Sequence, residues 1–445
     1  MIIKRVEIEK FRAFENVSFS LGKCITAISG RNATQKTTLL GILGQPFTIS
    51  KNNPMYGCKT IDGFNFKSQF QEKFKISPEH DVIGQHKWKL ELHDGILDQN
   101  YYCVESIARK QSGKKPTLRF WNAEGRTRGS GYIQLPVYFL SLIGESGKTK
   151  TIQTELTPEE LKLCIDNYRM ILSIHNNDEF NVGLEKSSSS RTFAGVNDSI
   201  HDIFTNSAGE GNITRIILAV LSFKRLKEQY GGNYKGGILL IDELDATLHG
   251  FSQRKLVDYL LEAAKLYKIQ IILTTHAPIN LECVNKYQLK EKKEKGSIPD
   301  YAYDSSIVYL EPDYGGNGNR KIEPRNISTS FEFRQILNDI NLSIPSCDNK
   351  VKIYCEDERA STFLQYVLSN KLKIKIEQYM SFVDINLGWT NYVQLASKCI
   401  PEFLNNVIVL DGDVPKKKEY IPKKEIVQQT GNFVFLPLVI EKDLF

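Results

Sequence analysis

Three mostly apolar runs stand out along the chain. They are Cys24 to Ile28, Ile238 to Ile241, and Ile269 to Leu273, the last with Gln270 as its one polar residue. A strand covered on both faces has no solvent side to alternate with, so such runs predict buried strands of an α/β sheet. Period-two alternation precedes the first of them. Val6 and Ile8, then Val17, Phe19 and Leu21, predict a hairpin or meander leading into it. Leu39 to Leu43 reads as an apolar helical start, and Ile216, Ile217, Val220 and Leu221 give helical spacing over 213–227. Between these, His86 to His93, Tyr101 to Ile107 and Thr117 to Trp121 are β-like runs among Gly- and Lys-rich turns. Thr157 followed by Pro158-Glu159-Glu160 is a helix start, with a hydroxyl cap and Pro at the first helical position. The Ser-rich stretch 185–195 reads as a loop.

A second α/β pattern begins near residue 350. Val351 to Cys355 reads as a strand, Phe363, Leu364, Val367 and Leu368 as one face of a helix, and Phe382 to Ile385 as another strand. A helix around Tyr392 to Cys399 leads to a strand at Val407 to Leu410, and Phe433 to Leu436 is one more. Between the two patterns, 283–349 reads as a connector. It carries a charged helix end at Lys290 to Lys295 and a turn at Tyr314 to Asn319, and Pro345 to Asp348 makes a boundary.

Composition narrows the class. At 445 residues, two or three domains are expected, and 41% apolar with 25% charged residues is the make-up of an ordinary globular protein. No apolar run approaches the roughly 18 residues a membrane helix needs, and Met1 to Val6 reads as a strand rather than a signal peptide. The 8 cysteines are scattered without metal-ligand spacing, which predicts reduced thiols and a cytoplasmic protein. A net charge of +6 permits local nucleic-acid contact without requiring it. Gly125 to Gly131 is a basic turn, read as a hairpin tip.

Chemistry gathers at the ends of the buried runs. After the first comes Gly30-Arg31-Asn32-Ala33-Thr34-Gln35-Lys36-Thr37-Thr38. Strand, loop and helix is the setting of a phosphate-binding loop, in which backbone N–H groups and the helix N-terminus face an anion. Lys36 is expected on the β- and γ-phosphates of ATP, and Thr37 on Mg²⁺. The pattern asks for Gly at 35, where this chain has Gln. The second run ends in Asp242-Glu243, with Asp242 expected to hold Mg²⁺ and Glu243 to act on the attacking water. The third ends in Thr274-Thr275-His276, with His276 expected to sense the γ-phosphate.

With Asn206 to Asn212, these pieces resemble the ABC-type ATPase heads of the structural-maintenance-of-chromosomes, RecF and OLD (overcoming lysogenisation defect) proteins. The resemblance covers residues 1–282. It implies an ABC-type P-loop head of α/β class with a short helical insert over 135–200. It also implies a signature at Ser207, Gly209 and Glu210 that reaches across a head-to-head dimer, or a higher homo-oligomer, to the partner's nucleotide. Ala208 departs from the usual second Gly. Asp245 matches the dimer-contact loop, and Arg12 a position that often approaches the nucleotide. A Mg²⁺-contacting glutamine is also implied, with Gln69, Gln71 and Gln85 as candidates. No heptad run of useful length exists, so the family's long coiled coil is absent from this sequence.

Residues 350–445, with Glu356 after the first strand and Asp411-Gly412-Asp413 after a later one, look like a smaller Toprim domain, as in OLD nucleases, topoisomerases and DnaG-type primases. The resemblance implies Mg²⁺ on Glu356, Asp411 and Asp413. Asp357 stands where many such nucleases have Gly, and Ala360 where they place a second acid. OLD-type domains normally continue past the point where this chain ends, which implies a shortened or a reduced, regulatory version. Lys416, Lys417, Lys418, Lys423 and Lys424 would follow a phosphate backbone or form an exposed basic loop.

Gln35 with Asn32-Ala33-Thr34 before it is most similar to the PtuA ATPases of Septu anti-phage defence systems, including those attached to retrons. That resemblance implies a slowly hydrolysing sensor and scaffold. Its partners would be an HNH nuclease subunit and, in retron systems, an RNA/DNA–reverse transcriptase complex. Two alternatives stand beside it. One is an OLD-like nuclease that cuts nucleic acid with its own Toprim site. The other is a RecF-like repair ATPase that binds DNA without cutting it.

Overall fold

The N-terminal alternation folds as its pattern requires. Ile2–Phe11 forms β1, with Ile3, Val6, Ile8 and Phe11 buried. Phe14–Ser20 (β2) returns antiparallel beside it, and Phe11 lies opposite Phe14 across the turn at Arg12 and Ala13. Ile25–Gly30 (β3) is buried at every position and leads into α1 (Lys36–Gly44). The structure is a computed structural model. It describes residues 1–67, 77, 79–93, 101–111, 114–122, 132–142, 149–152, 156–175, 180–187, 192–197, 207–246, 248–296, 302–314, 320–341, 350–371 and 380–437. The chain divides into two units, Met1–Asn326 and Ile327–Phe445.

In the first unit β4 (Lys87–His93), β5 (Tyr101–Gln111) and β6 (Lys114–Asn122) extend the hairpin into a five-stranded antiparallel sheet, ordered β2-β1-β4-β5-β6. Further along come β7 (Val137–Ser141), β8 (Thr149–Ile152), α2 (Pro158–Leu172), β9 (Asn181–Ser187) and β10 (Thr192–Asn197). Then follow α3 (Ala208–Tyr230), β11 (Gly237–Asp242), α4 (Gly250–Tyr267), β12 (Ile269–Thr274), α5 (Pro278–Lys295), β13 (Ser305–Tyr314) and β14 (Arg320–Asn326). A six-stranded sheet has the order β14-β13-β3-β12-β11-β7 and is parallel except at β14.

One apolar cluster joins the two sheets. It contains Trp88 and Phe120 of the antiparallel sheet, Ile28 and Leu240 of the parallel one, and Leu39, Leu40, Ile42 and Leu43 of α1. Nearly all of α1 is buried, as a helix that is apolar on every side must be. Gln270, polar in an apolar strand, ties the layers together. Its amide accepts from Ile3 N at 2.8 Å and donates to Ile3 O and Gly22 O, each at 2.8 Å.

Three expectations are corrected in this unit. The segment expected to connect domains, 283–349, instead completes α5 and supplies β13 and β14, so the unit runs to Asn326. The reason is pairing over a long distance in sequence: β13 lies parallel to β3 and buries Ile307, Val308 and Leu310 completely. The expected helical insert over 135–200 contains α2, which starts at the anticipated Thr157 cap with Pro158 in its first turn, and Glu160 closes a capping box there. It also gives β7 to the edge of the parallel sheet, and β8, β9 and β10 form a separate antiparallel sheet. The stretch read as a loop over 185–195 is mostly the β9–β10 hairpin, with Phe193 opposite Glu185 and Ala194 opposite Leu184. The basic turn at Gly125 to Gly131, Gln69 and Gln71, and the boundary at Pro345 to Asp348 lie outside the described residues.

The second unit holds α6 (Ser330–Asn341), β15 (Val351–Cys355), α7 (Glu358–Tyr366), β16 (Met380–Phe382), α8 (Trp389–Ser397), α9 (Pro401–Asn405), β17 (Val407–Leu410), α10 (Lys424–Thr430) and β18 (Phe433–Phe435). Its sheet is parallel throughout, in the order β16-β15-β17-β18. The strand expected over Phe382 to Ile385 ends at Phe382, because Ile385 N turns back onto Val383 O at 2.9 Å. Among the described residues no helix is long and apolar enough to cross a membrane.

Candidate functional site

Neighbouring parallel strands end at one edge, and β3, β12 and β11 are neighbours in that order. Their carboxyl ends therefore bring together the Gly30–Thr38 loop, Thr274 to His276, and Asp242-Glu243. The loop is tightly wound. Gly30 has φ +155°, and a Cβ there would stand 2.7 Å from Leu310 O and 2.9 Å from Thr34 Oγ1. Ala33 and Gln35 take left-handed backbone, at φ 64° and 61°. Buried Thr34 donates its hydroxyl to Arg31 O at 2.8 Å, while Arg31, Asn32 and Ala33 are exposed.

Lys36 is only 8% exposed. Its ammonium donates to Gly30 O at 3.1 Å and to Arg31 O at 3.0 Å, and among the described residues it pairs with no carboxylate. Burial lowers its pKa to about 8, against the opposing pull of Glu243, Asp242 and Asp245. A buried cation without an ionic partner is costly, so this geometry calls for an anion.

Next to it, Thr37 donates to Asp242 Oδ2 at 2.7 Å. Thr274 donates to Asp242 Oδ1 at 2.7 Å, and the same hydroxyl accepts from Glu243 N at 2.7 Å. Thr274, which sequence reasoning passed over as a polar strand end, thus clamps both acids. Its signal was position: a hydroxyl closing the strand that lies between the loop strand and the acid strand. Glu243 sits in left-handed backbone at φ 58°, a conformation that costs a non-Gly residue on the order of 1 kcal/mol or more. Burial and the neighbouring Asp242 and Asp245 raise its carboxyl, with Lys36 opposing. Asp245 Oδ1 accepts from His276 N at 3.1 Å, and burial and Lys36 lower the His276 imidazole. Thr38, on the same turn of α1 as Thr37, accepts from Arg12 Nη1 at 3.2 Å.

The signature residues start α3. Ser207 is its cap, accepting from Glu210 N at 3.3 Å while the Glu210 carboxylate accepts from Ser207 N at 2.7 Å. Ser207 is exposed and Gly209 buried. Asn212 Nδ2 donates to Ala246 O at 3.4 Å, which ties this helix end to the loop after Glu243. Of the glutamine candidates, Gln85 is described and exposed.

In the second unit Glu356 and Asp411 come together at the carboxyl ends of β15 and β17. Glu356 Oε2 accepts from Asp411 N and Oε1 from Trp389 N, each at 3.1 Å. Burial, with Glu356, Asp357 and Asp413 nearby, raises the Asp411 carboxyl to about 6. Asp413 pairs with Lys417 at 3.0 Å. Each Glu356 oxygen thus already accepts one backbone N–H group, so a metal ion would share these oxygens with the main chain. No group of three or more His, Cys, Asp and Glu among the described residues is set to hold one. Of the lysines that follow, Lys416, Lys418 and Lys424 are exposed.

Residues 146–279 match the AAA ATPase domain family. The match takes in Ser207, Asp242, Glu243 and His276 and leaves out the Gly30–Thr38 loop. No curated protein matches the chain. Similar solved structures include the SMC head domain from Thermotoga maritima, at 13% identity over 74% of this chain and 100% of that one, with a TM-score of 0.39. An SmcHead bound to the C-winged helix domain of ScpA matches at 14% identity over 74% of this chain and 98% of that one, with a TM-score of 0.42. The Smc head domain with an extended coiled coil, bound to the C-terminal domain of ScpA derived from Pyrococcus furiosus, matches at 12% identity. It covers 76% of this chain and 99% of that one, with a TM-score of 0.39.

Proposed function

We propose that this chain binds ATP and hydrolyses it slowly, and that nucleotide-dependent pairing of its heads controls a partner HNH nuclease in an anti-phage defence system. The observation that carries the ATP reading is Lys36, buried, held by two loop carbonyls and, among the described residues, without a carboxylate partner. The family match over 146–279 supports it. Lys36 and the loop N–H groups would bind the phosphates. Thr37 and Asp242, a hydroxyl and a carboxylate already 2.7 Å apart, fit Mg²⁺, which would neutralise phosphate charge when bound. Glu243 would orient the attacking water and take its proton, and its raised carboxyl pKa moves it toward the working range of a general base. His276, kept neutral by burial and Lys36, would offer a hydrogen bond to the terminal phosphate. Ser207, Gly209 and Glu210 would act across a dimer, with Asp245 at its contact.

Gln35 sets the rate in this reading. Its left-handed backbone is the one a Gly would hold at no steric cost, and its buried Oε1 has no hydrogen-bond partner among the described residues. Gln35→Gly is expected to raise phosphate release severalfold while keeping the melting temperature at or above the parental value. An unchanged steady-state rate would separate Gln35 from slow turnover.

The nuclease assignment rests on resemblance and is tested directly. The purified chain alone, with DNA or RNA and Mg²⁺ or Mn²⁺, is expected to cut nothing, and cleavage should appear on adding an HNH protein encoded in the neighbouring genes. The other reading, an OLD-like nuclease, draws on the acids converging on Asp411. It predicts cleavage by this chain alone that Asp411→Ala abolishes. DNA-stimulated ATP hydrolysis with no cutting in either arm would favour the repair ATPase.

A further inference from the structure

Arg12 has a partner that no motif announces. It occupies the β1–β2 turn, in left-handed backbone at φ 52°. The guanidinium donates from Nε to Asp81 Oδ1 at 2.9 Å and from Nη2 to Asp81 Oδ2 at 2.8 Å, a two-point fork. The remaining arm, Nη1, reaches Thr38 in the first turn of α1. Asp81 is held in turn. Its Oδ2 accepts from Ser77 N at 2.8 Å and its Oδ1 lies 3.3 Å from His86 Nε2. On its other side the His86 ring places Nδ1 at 3.2 Å from Ser106 Oγ, an oxygen that already accepts from Gly84 N and His86 N. The Ser106 hydroxyl hydrogen therefore goes to Nδ1, which leaves the proton of a neutral imidazole on Nε2, facing Asp81. His86 is packed against Phe11 and Phe120, with ring centroids 4.9 and 5.6 Å away, and its burial disfavours the imidazolium. Burial raises the Asp81 carboxyl, but the bonds from Arg12, Ser77 and His86 outweigh it and leave the group below its ordinary range.

We propose that Asp81 is a positioning residue of the nucleotide site: its carboxylate, aimed by His86, fixes the Arg12 guanidinium over the first turn of α1. The proposal rests on the ATP reading above. The Asp81 side chain is 2% exposed, and Arg12 retains 23%. An ion pair this buried gives little net stability over apolar packing, so stability alone does not account for it. What the pair does provide is direction. Both of the fork's bonds go to Asp81, so the guanidinium plane is set before any ligand arrives, with Nη1 on Thr38, the residue after Thr37.

The test is a double-mutant cycle read by steady-state ATP hydrolysis, with thermal melting of each variant. Asp81→Asn keeps shape and removes the charge. It is expected to raise KM for ATP by about tenfold with kcat changed less than about twofold, and to have less than about a twofold effect on KM in an Arg12→Ala background. A parental KM in folded Asp81→Asn overturns the proposal. So does an equal effect in both backgrounds, which is what a merely structural carboxylate would give. Arg12→Lys, which keeps charge but not the fork, serves where Asp81→Asn fails to fold. It is expected to raise KM similarly, and a parental KM there overturns the proposal as well. Direct ATP binding by the parent, lost in Lys36→Ala, shows separately that the ATP reading holds. A parent that binds no ATP removes both.

Discussion

Lys36→Ala is expected to weaken ATP binding by at least about 100-fold, on the order of 2.7 kcal/mol, without lowering the melting temperature. The two halves of that result have one cause. In the free chain the ammonium is desolvated and, among the described residues, held by Gly30 O and Arg31 O alone, so its charge is a cost until an anion arrives. Deleting it removes the attraction for phosphate and removes the cost as well. The pH dependence follows with its sign. The Lys36 pKa, lowered to about 8 by burial, lies below that of an unfolded lysine, so the free protein carries the full penalty below about pH 8 and is relieved as pH rises toward the unfolded value. ATP affinity runs the other way. The bound phosphates need the charged form, so affinity should fall above about pH 8 in the parent and stay flat in Lys36→Ala. Titration calorimetry at pH 7 and pH 9, with melting curves at both, checks all of it. Tight binding by Lys36→Ala would end the assignment of the loop.

The three mostly apolar runs were legible because burial on both faces leaves a one-dimensional trace. β3, β11 and β12 are buried at every position, and their polar ends hold the loop, Asp242-Glu243 and His276. The helix start at Thr157 was legible because the hydroxyl cap and the Pro that follows it are neighbours in sequence. What stayed hidden depends on partners far away in sequence. Val308 and Leu310 become core only by lying beside Ile28 and Gly30, and nothing in the Lys-rich stretch before them says so. The β9–β10 hairpin is hidden for a different reason, since backbone pairing holds it and its serines carry no alternation. Asp81 and Thr274 lie between these cases. Each is a single polar residue whose role exists only through the side chain it faces, Arg12 in one case and Asp242 in the other.

Glu243→Gln is expected to keep ATP affinity within about threefold of the parent while lowering kcat by at least about 100-fold. The substitution is close in shape, and the residue's backbone is fixed independently of its charge. Glu243 N donates to Thr274 Oγ1 and Leu244 N to Thr274 O at 3.0 Å, so the left-handed turn should survive. Thr37 and Asp242 keep their own contact, and Lys36 its carbonyls, so the groups assigned to binding are untouched. What is lost is a carboxylate that, among the described residues, accepts no hydrogen bond and so is open to take a proton from water. Asp242 is already bound through both oxygens, to Thr37 and Thr274, and Asp245 is engaged with His276 N. Removing the charge at 243 also takes away a repulsion that the crowded acids Asp242 and Asp245 now impose. Binding of anionic ATP should then tighten slightly rather than weaken. If heads pair around nucleotide, the variant should accumulate as an ATP-bound dimer, visible by light scattering at a ratio that ADP does not reproduce. Parental turnover in Glu243→Gln would mean that the base lies elsewhere. An unchanged mass with ATP bound would leave the site intact and remove head pairing as its output.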